Sequence, residues 1–263
     1  MIQKKFLCKD ITAANEVLGE IDRIISETKH KCALISIYEK GVSRQEMESF
    51  VGSIKKLGHK ELQIAGISLT LVAELMPEGS GLLLNLILTE EADIDVVSVP
   101  CAPGEEIEAA AKLRSRLDAT DDVKVVELFG SNMALNTTAF MEKAMEGHED
   151  AVLFGTTTIK NLMQKVSVAG NDNSVEVEKI DPGMAGDELI IGNDVLYDGF
   201  VAVVFSGKKL NILADYALGW NPVGRRLTVE LGDESPMGET VVKTINGLPA
   251  VDIYTSQRNV SLL

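Results

Sequence analysis

Cysteine is scarce in this chain. Cys8, Cys32 and Cys101 stand alone, without a CxxC pair. An odd and widely spaced set excludes a disulfide framework and the usual spacing of a structural zinc site. It fits a reducing compartment. Histidine is equally sparse. His30, His59 and His148 lie in Lys- or Glu-rich surroundings and read as solvated loop or helix-end residues, so no Ser/His/Asp constellation is suggested. Basic charge is short as well: 25 Lys and Arg stand against 40 Asp and Glu, a formal net charge of −15. Binding to phosphate needs clustered Lys and Arg, so a nucleic-acid partner is excluded, as is docking on an anionic membrane surface. Long apolar runs are missing. The longest, residues 82–88 and 200–205, fall far short of the roughly 20 residues that span a bilayer. The N-terminus offers only Phe6-Leu7-Cys8 between charges, too little for a signal peptide. The expectation is a cytoplasmic protein without membrane insertion. No dinucleotide fingerprint or Walker motif occurs, and the acidic loops at 90–93 and 118–122 lack EF-hand spacing. No cofactor and no metal are expected.

What is present is an ordinary globular composition over 263 residues, 45% of them hydrophobic. That length suits one large domain, or two packed lobes at about 1–150 and 151–263. Ile11, Ala14, Leu18, Ile21 and Ile25 recur at helical steps, so the spacing predicts one helix over 11–27 with Asp10 as its N-cap. Residues 32–38 read as a buried strand. Ser43-Arg44-Gln45-Glu46 is a capping box and Gly58 a helix stop, which places a second helix between them. Three strand-like runs follow, at 62–71, 81–89 and 94–99. With no helix between them, hairpin connections and antiparallel pairing are expected, with Pro77-Glu78-Gly79-Ser80 as a turn. A third helix is expected at 105–117, acidic first and basic last as the dipole favours. Strand 124–129, a fourth helix at 131–146 and strand 151–154 then read as β-α-β, a parallel pair.

Residues 155–198 are rich in Gly, Asn and Asp and read mostly as turns, with strands at 175–180 and 188–191. The last block is nearly all strand. Residues 199–206 face 210–216 across Gly207-Lys208-Lys209, then 227–231, then 240–245 and 248–254 around Asn246-Gly247, a strong hairpin signal. The sum is an α+β (mixed α/β) fold: antiparallel-rich mixed sheets flanked by about four helices. Four helices cannot cover both faces of one sheet of ten or so strands. Two stacked sheets with helices outside, a layered α/β/β/α sandwich, satisfy that geometry.

The chain is organised around residues 198–254, whose centre is Gly219-Trp220-Asn221-Pro222-Val223-Gly224, with the only tryptophan. Three stretches there resemble the FIST family of sensory domains, in the order of its N-terminal module. They are the strand 198–207, the Gly219-to-Gly224 turn before Leu227-Thr228-Val229, and Asn246-Gly247-Leu248-Pro249-Ala250. The family's upstream glycine loop has two counterparts here. Gly183-Met184-Ala185-Gly186-Asp187 matches by letter, and Gly155-Thr156-Thr157-Thr158 by its position after a strand. The resemblance implies a sensory module of a bacterial signal-transduction protein. Such a module binds a small ligand such as an amino acid and is fused to an output such as a GGDEF cyclase, a histidine kinase or a chemoreceptor. Family members usually continue into a C-terminal FIST module, for which this sequence shows no counterpart, so residues 1–263 read as one sensor module.

Several residues carry candidate chemistry. Pro222 and two glycines force a sharp reversal at which Trp220 and Asn221 either close the core or line a pocket. Arg225 could grip a carboxylate by its fork, or serve a surface ion pair. Gly183 and Asp187 could cradle a ligand and anchor an amine, or form a plain turn. Thr156, after a glycine at a strand end, has the placement of the nucleophile in self-processing hydrolases and acyl-transferases. Strand propensity explains it more simply. A non-catalytic sensor is therefore expected first, a hydrolase using Thr156 second, and a structural docking module for an output domain third.

Overall fold

Two β-sheets stack face to face in the first and larger part of the chain. The computed structural model describes residues 1–69, 81–131, 135–158, 164–169, 174–179, 189–214, 227–232 and 241–253, with backbone alone for 164–169 and 174–179. Contacts divide the chain into two units, Met1–Ile212 and Leu213–Leu263.

The first unit opens with β1 (Ile2–Cys8), α1 (Ile11–Glu16), α2 (Leu18–Glu27), β2 (Cys32–Lys40), α3 (Arg44–Lys55), β3 (Leu62–Ser68), β4 (Gly81–Thr89) and β5 (Asp93–Pro100). It continues with α4 (Glu106–Asp118), β6 (Val123–Gly130), α5 (Thr137–Ala144), β7 (Val152–Thr157), β8 (Gln164–Ala169), β9 (Ser174–Lys179), β10 (Ile190–Ile191), β11 (Val195–Leu196) and β12 (Gly199–Ser206). One sheet has the order β1-β4-β2-β3-β10-β11 and the other β5-β12-β6-β7. Strands β8 and β9 form a separate antiparallel ladder.

Alternation along each strand builds three apolar layers, because successive side chains point to opposite faces. On β2, Ala33, Ile35 and Ile37 face α1, α2 and α3, where Ile21, Ile25, Met47, Phe50 and Ile54 meet them. Leu34 on the same strand turns inward, into a layer shared with Ile67, Ile94, Phe129, Val201 and Val203. On β12, Phe200, Ala202 and Val204 face outward to Ala110, Leu113 and Leu117 of α4 and Phe140 of α5. Helices therefore cover the outer face of each sheet, and the expected α/β/β/α sandwich is the architecture of this unit.

Local signals set the helices. Asp10 caps α1 by accepting from the Ala13 N–H at 2.8 Å. The Ser43–Glu46 capping box is complete, with the Ser43 N–H donating to Glu46 Oε2 at 3.0 Å and the Glu46 N–H to Ser43 Oγ at 3.4 Å. Glu106 and Glu108 occupy the first turn of α4 and Arg116 its last. The expected helix at 11–27 is instead two, broken at Val17. The fourth helix starts at Thr137, where the Asn136 side chain supplies the cap.

The pairing of the three consecutive strands is corrected. β3 lies parallel to β2. β4 lies antiparallel between β1 and β2. With both its edges filled, β4 cannot take β5, which crosses to the second sheet and pairs with β12. Strand β12 is likewise flanked by β5 and β6, so the expected hairpin with 210–216 does not form among its described residues, 210–214. The turn at Pro77-Glu78-Gly79-Ser80 lies outside the described residues. The β-α-β reading at β6-α5-β7 holds, in parallel register from Val125↔Val152 to Gly130↔Thr157.

The second unit contains β13 (Val229–Leu231), β14 (Val242–Ile245) and β15 (Leu248–Pro249), one antiparallel sheet in chain order. Asn246 and Gly247 have φ of 53° and 77°. That pair of left-handed residues is what a two-residue hairpin turn needs, and why the Asn-Gly signal was readable.

Candidate functional site

The parallel β6-α5-β7 unit leaves a cleft between α5, the last residues of β6 and almost the whole length of β7. The start of α5 is fixed from two sides. Asn136 Oδ1 accepts from the Ala139 N–H at 3.0 Å, and the Asn136 N–H donates to Glu106 Oε1 at 3.0 Å. Burial pushes the Glu106 carboxyl up, but N–H groups of Asn136, Glu106 itself and Gly104 outweigh it and hold the group below the usual carboxylate range. A charged carboxylate thus anchors the start of one helix to the start of the other.

Glycine sets the floor of the cleft. Gly155 has φ +155°, and a Cβ there would lie 1.8 Å from the Leu128 carbonyl oxygen. No other residue lets β7 approach β6 so closely. The resulting cavity, about 470 Å³, has walls from Leu128, Met141, Leu153 and Phe154, hydroxyls from Thr137, Thr156 and Thr157, and Gly130 beside Gly155. Phe154 is 51% exposed although it sits within a strand. The described lining has no ionisable side chain. It offers apolar contact and hydrogen bonds, but no group that exchanges protons near neutral pH.

Thr156 lines this cleft. It is exposed, within an unbroken β7, opposite Phe129 in register. Gly183, Asp187, Trp220, Asn221 and Arg225 lie outside the described residues, as does the whole 219–224 turn. Thr137, Met141, Leu153 and Phe154 were not singled out from the sequence. The available signal was the β-α-β pattern itself, which packs one helix beside two neighbouring parallel strands.

Other chemically suggestive groups are accounted for structurally. Cys101 is buried, and desolvation together with the nearby acids Glu106 and Glu105 pushes its thiol up to about 11, so it stays a protonated thiol at neutral pH. Between the sheets, the Tyr38 hydroxyl donates to Glu127 Oε1 at 3.2 Å. Burial, then the Glu127 charge and that hydrogen bond, push the Tyr38 phenol up. Burial also raises Glu127, and the Tyr38 bond only partly offsets it. The histidines are not the solvated residues expected. His30, His59 and His148 each meet a carboxylate, from Glu61, Asp22 and Asp118 respectively. Among the described residues no group of three His, Cys, Asp or Glu side chains could hold a metal ion. No helix among them is long and apolar enough to cross a membrane.

No curated protein matches this chain. The family model of the FIST N domain matches residues 79–247, from the start of β4 to the Asn246-Gly247 turn. It therefore takes in the whole β6-α5-β7 cleft. Strands β1, β2 and β3 precede the match but complete the same sheet as β4, so the folded unit begins upstream of the matched stretch. A match over well over half the chain, in agreement with the ordered glycine and proline motifs of the last third, means that the chain belongs to the FIST N domain family of sensory signal-transduction modules.

Proposed function

We propose that residues 1–263 act as a non-catalytic sensor module that takes a small ligand into the cleft between β6, β7 and α5. The cleft itself carries this reading. It has about 470 Å³ of space, apolar walls and three threonine hydroxyls, within the range of small-molecule sites and in a family of sensory modules. An amino acid or small carboxylate suits it in size. An apolar side chain would rest on Leu128, Met141 and Leu153, and the polar end would meet Thr137 and Thr156. Occupancy would shift a population between two arrangements that an output domain reads, such as a GGDEF cyclase or a histidine kinase of a bacterial cytoplasmic pathway. A separate proposal rests on the sequence motifs alone: Arg225, with Trp220 and Asn221, grips a carboxylate, and Asp187, with Gly183, holds an amine.

The test is a thermal-shift screen of the full chain against amino acids and small carboxylates, with calorimetry on each hit. A cognate ligand at a hundredfold excess over Kd raises Tm by about 5–10 °C. Met141→Trp, which fills the cleft, removes that rise, and Thr156→Val weakens it. Arg225→Ala probes the motif-based grip independently. A panel without a hit, or a hit that Met141→Trp leaves intact, overturns the cleft reading.

A further inference from the structure

The cleft runs along an open sheet edge. Among the described residues the two stacked sheets end at β1, β11, β5 and β7. Proteins guard such edges with charge, proline or shortness, because a row of unpaired N–H and C=O groups invites another chain. β1 carries Lys4 and Lys5, β5 carries Asp93 and Asp95, and β11 is two residues long. β7 has none of these guards. Its six residues, Val152 to Thr157, include no charge and no proline, and 154–156 are exposed.

The hydrogen bonds show which groups face outward. The Thr158 N–H donates to the Gly130 carbonyl at 2.8 Å, and Gly130 stands opposite Thr157. In a parallel ladder alternate residues turn both N–H and C=O to the same neighbour. Phe154, Thr156 and Thr158 are therefore turned to β6, while Leu153, Gly155 and Thr157 present both groups to the open edge. Five consecutive residues, 153–157, line the cleft. Side chains of a strand alternate between its faces, so an unbroken run reaches one cavity along the edge of the strand itself. The cleft thus holds this row of backbone groups beside the apolar wall of Leu128 and Met141.

We propose that the ligand of this cleft is a short peptide that adds to β7 as an extra strand. The proposal rests on the cleft reading above and names the class of ligand. Gly155 stands in the middle of the row, without a side chain to hold off an approaching main chain. At about 3.3 Å per residue, 153–157 extends about 13 Å, the length of about three or four peptide residues. Bonds to the backbone of Leu153, Gly155 and Thr157 supply affinity, and a peptide side chain against Leu128 and Met141 supplies selectivity for an apolar residue. Charge supports the class. A free amino acid brings an ammonium and a carboxylate on one carbon, and the described lining has no ionisable side chain to meet either. A peptide puts neutral amides in the cleft and carries its charges at its ends, which avoids burying an unpaired ion.

The experiment adds capped tripeptides, each with an apolar central residue, to the full chain and follows amide exchange by NMR. Binding slows exchange at Leu153, Gly155 and Thr157 about tenfold or more, and leaves Phe154 and Thr156, already bonded to β6, within about twofold. N-methylation of the peptide weakens binding about tenfold at amides turned to β7 and little at the alternate ones. Thr157→Pro removes an edge N–H that β6 does not use, and lowers affinity to the same degree. If Thr157→Pro does not fold, the methylated series decides alone. A panel with no binder below about 1 mM, or a binder that protects 153–157 without alternation, overturns the proposal. So does protection of these amides that grows with protein concentration in the absence of peptide, which marks a second copy on the edge. A non-peptide ligand that Met141→Trp excludes, in a chain that ignores every peptide, overturns the peptide class and leaves the cleft reading standing. A peptide that Met141→Trp does not weaken overturns both.

Discussion

The two units of this chain use the same strand chemistry and end in opposite states. In Met1–Ile212, β12 is buried on both faces, with Phe200, Val201, Ala202, Val203 and Val204 almost wholly withdrawn from solvent. In Leu213–Leu263 the described strands leave their apolar side chains in water, Leu231 at 58% and Leu248 at 55% exposure. Both have good pairing and good turns. Among the described residues, the difference is a second layer. A sheet gains most of its stability by burying a face, and a few short strands without cover are marginal in water. Hairpin chemistry at Asn246-Gly247 fixes a local shape, and it does not create a core.

The sharpest way to break this comparison is to damage the buried side. Phe200 stacks on Phe140 with ring centroids 3.7 Å apart and planes 16° from parallel, between β12 and α5. Phe200→Ala removes that contact from a site with no solvent to refill it. We expect a loss of about 3–5 kcal/mol in denaturant unfolding. A loss below about 1.5 kcal/mol would mean that the outer helical layer is not where the stability of the first unit resides.

A smaller effect is expected between the sheets, where Tyr38 and Glu127 form a polar contact within an apolar layer. Glu127 is raised by burial, so the folded state holds its proton more tightly than the unfolded chain does. The associated stability is fully present below the ordinary carboxylate value, about 4.3, and is lost as pH rises through the raised value. Glu127→Gln keeps a neutral group of the same shape and flattens this part of the pH–stability curve. Tyr38→Phe withdraws the phenol that donates to Glu127 and costs about 1–2 kcal/mol, more at pH 7 than at pH 4. Urea unfolding of the three proteins from pH 4 to 8 checks both sign and order. An unchanged slope in Glu127→Gln would show that the inter-sheet layer admits water to this carboxylate.

The same contrast explains what could be read from the sequence. Capping at Asp10 and Ser43, the positive-φ glycine at 58 and the Asn246-Gly247 turn act over a few residues, and each was legible. The helical periods showed which helix faces are apolar, and counting helices against strands led to four layers. Pairing was legible only within local units, the parallel β6-α5-β7 pair and the Asn246-Gly247 hairpin; elsewhere it depends on which edges are already filled. β1 carries Lys4 and Lys5 and buries only Phe6 and Cys8. It is a strand because the edge of β4 is open to it. β5 leaves the neighbourhood of β4 for the converse reason. The cleft was half legible. Thr156 was visible after its glycine, but Met141 and Leu153 look like any core residues. The need for glycine at 155 appears only once the Leu128 carbonyl stands against it.

The smallest expected effect is the most informative about the second unit. Leu248 is on β15, next to the Asn246-Gly247 turn, paired across the ladder with Ile245. In Leu248→Ser the side chain that changes is already more than half in water, so little apolar burial is lost and no cavity opens. The hairpin keeps its turn and its backbone hydrogen bonds. The expected change in unfolding free energy of the isolated chain is within about 0.5 kcal/mol, with exchange at Thr244 and Ile245 altered no more than twofold. A cost above about 1.5 kcal/mol would mean that Leu248 is covered in solution. The contrast between the two units would then describe what each buries within itself rather than what it exposes at work. Repeating the measurement over a hundredfold range of protein concentration separates the two cases, because cover by a second copy makes the cost depend on concentration and an exposed leucine does not.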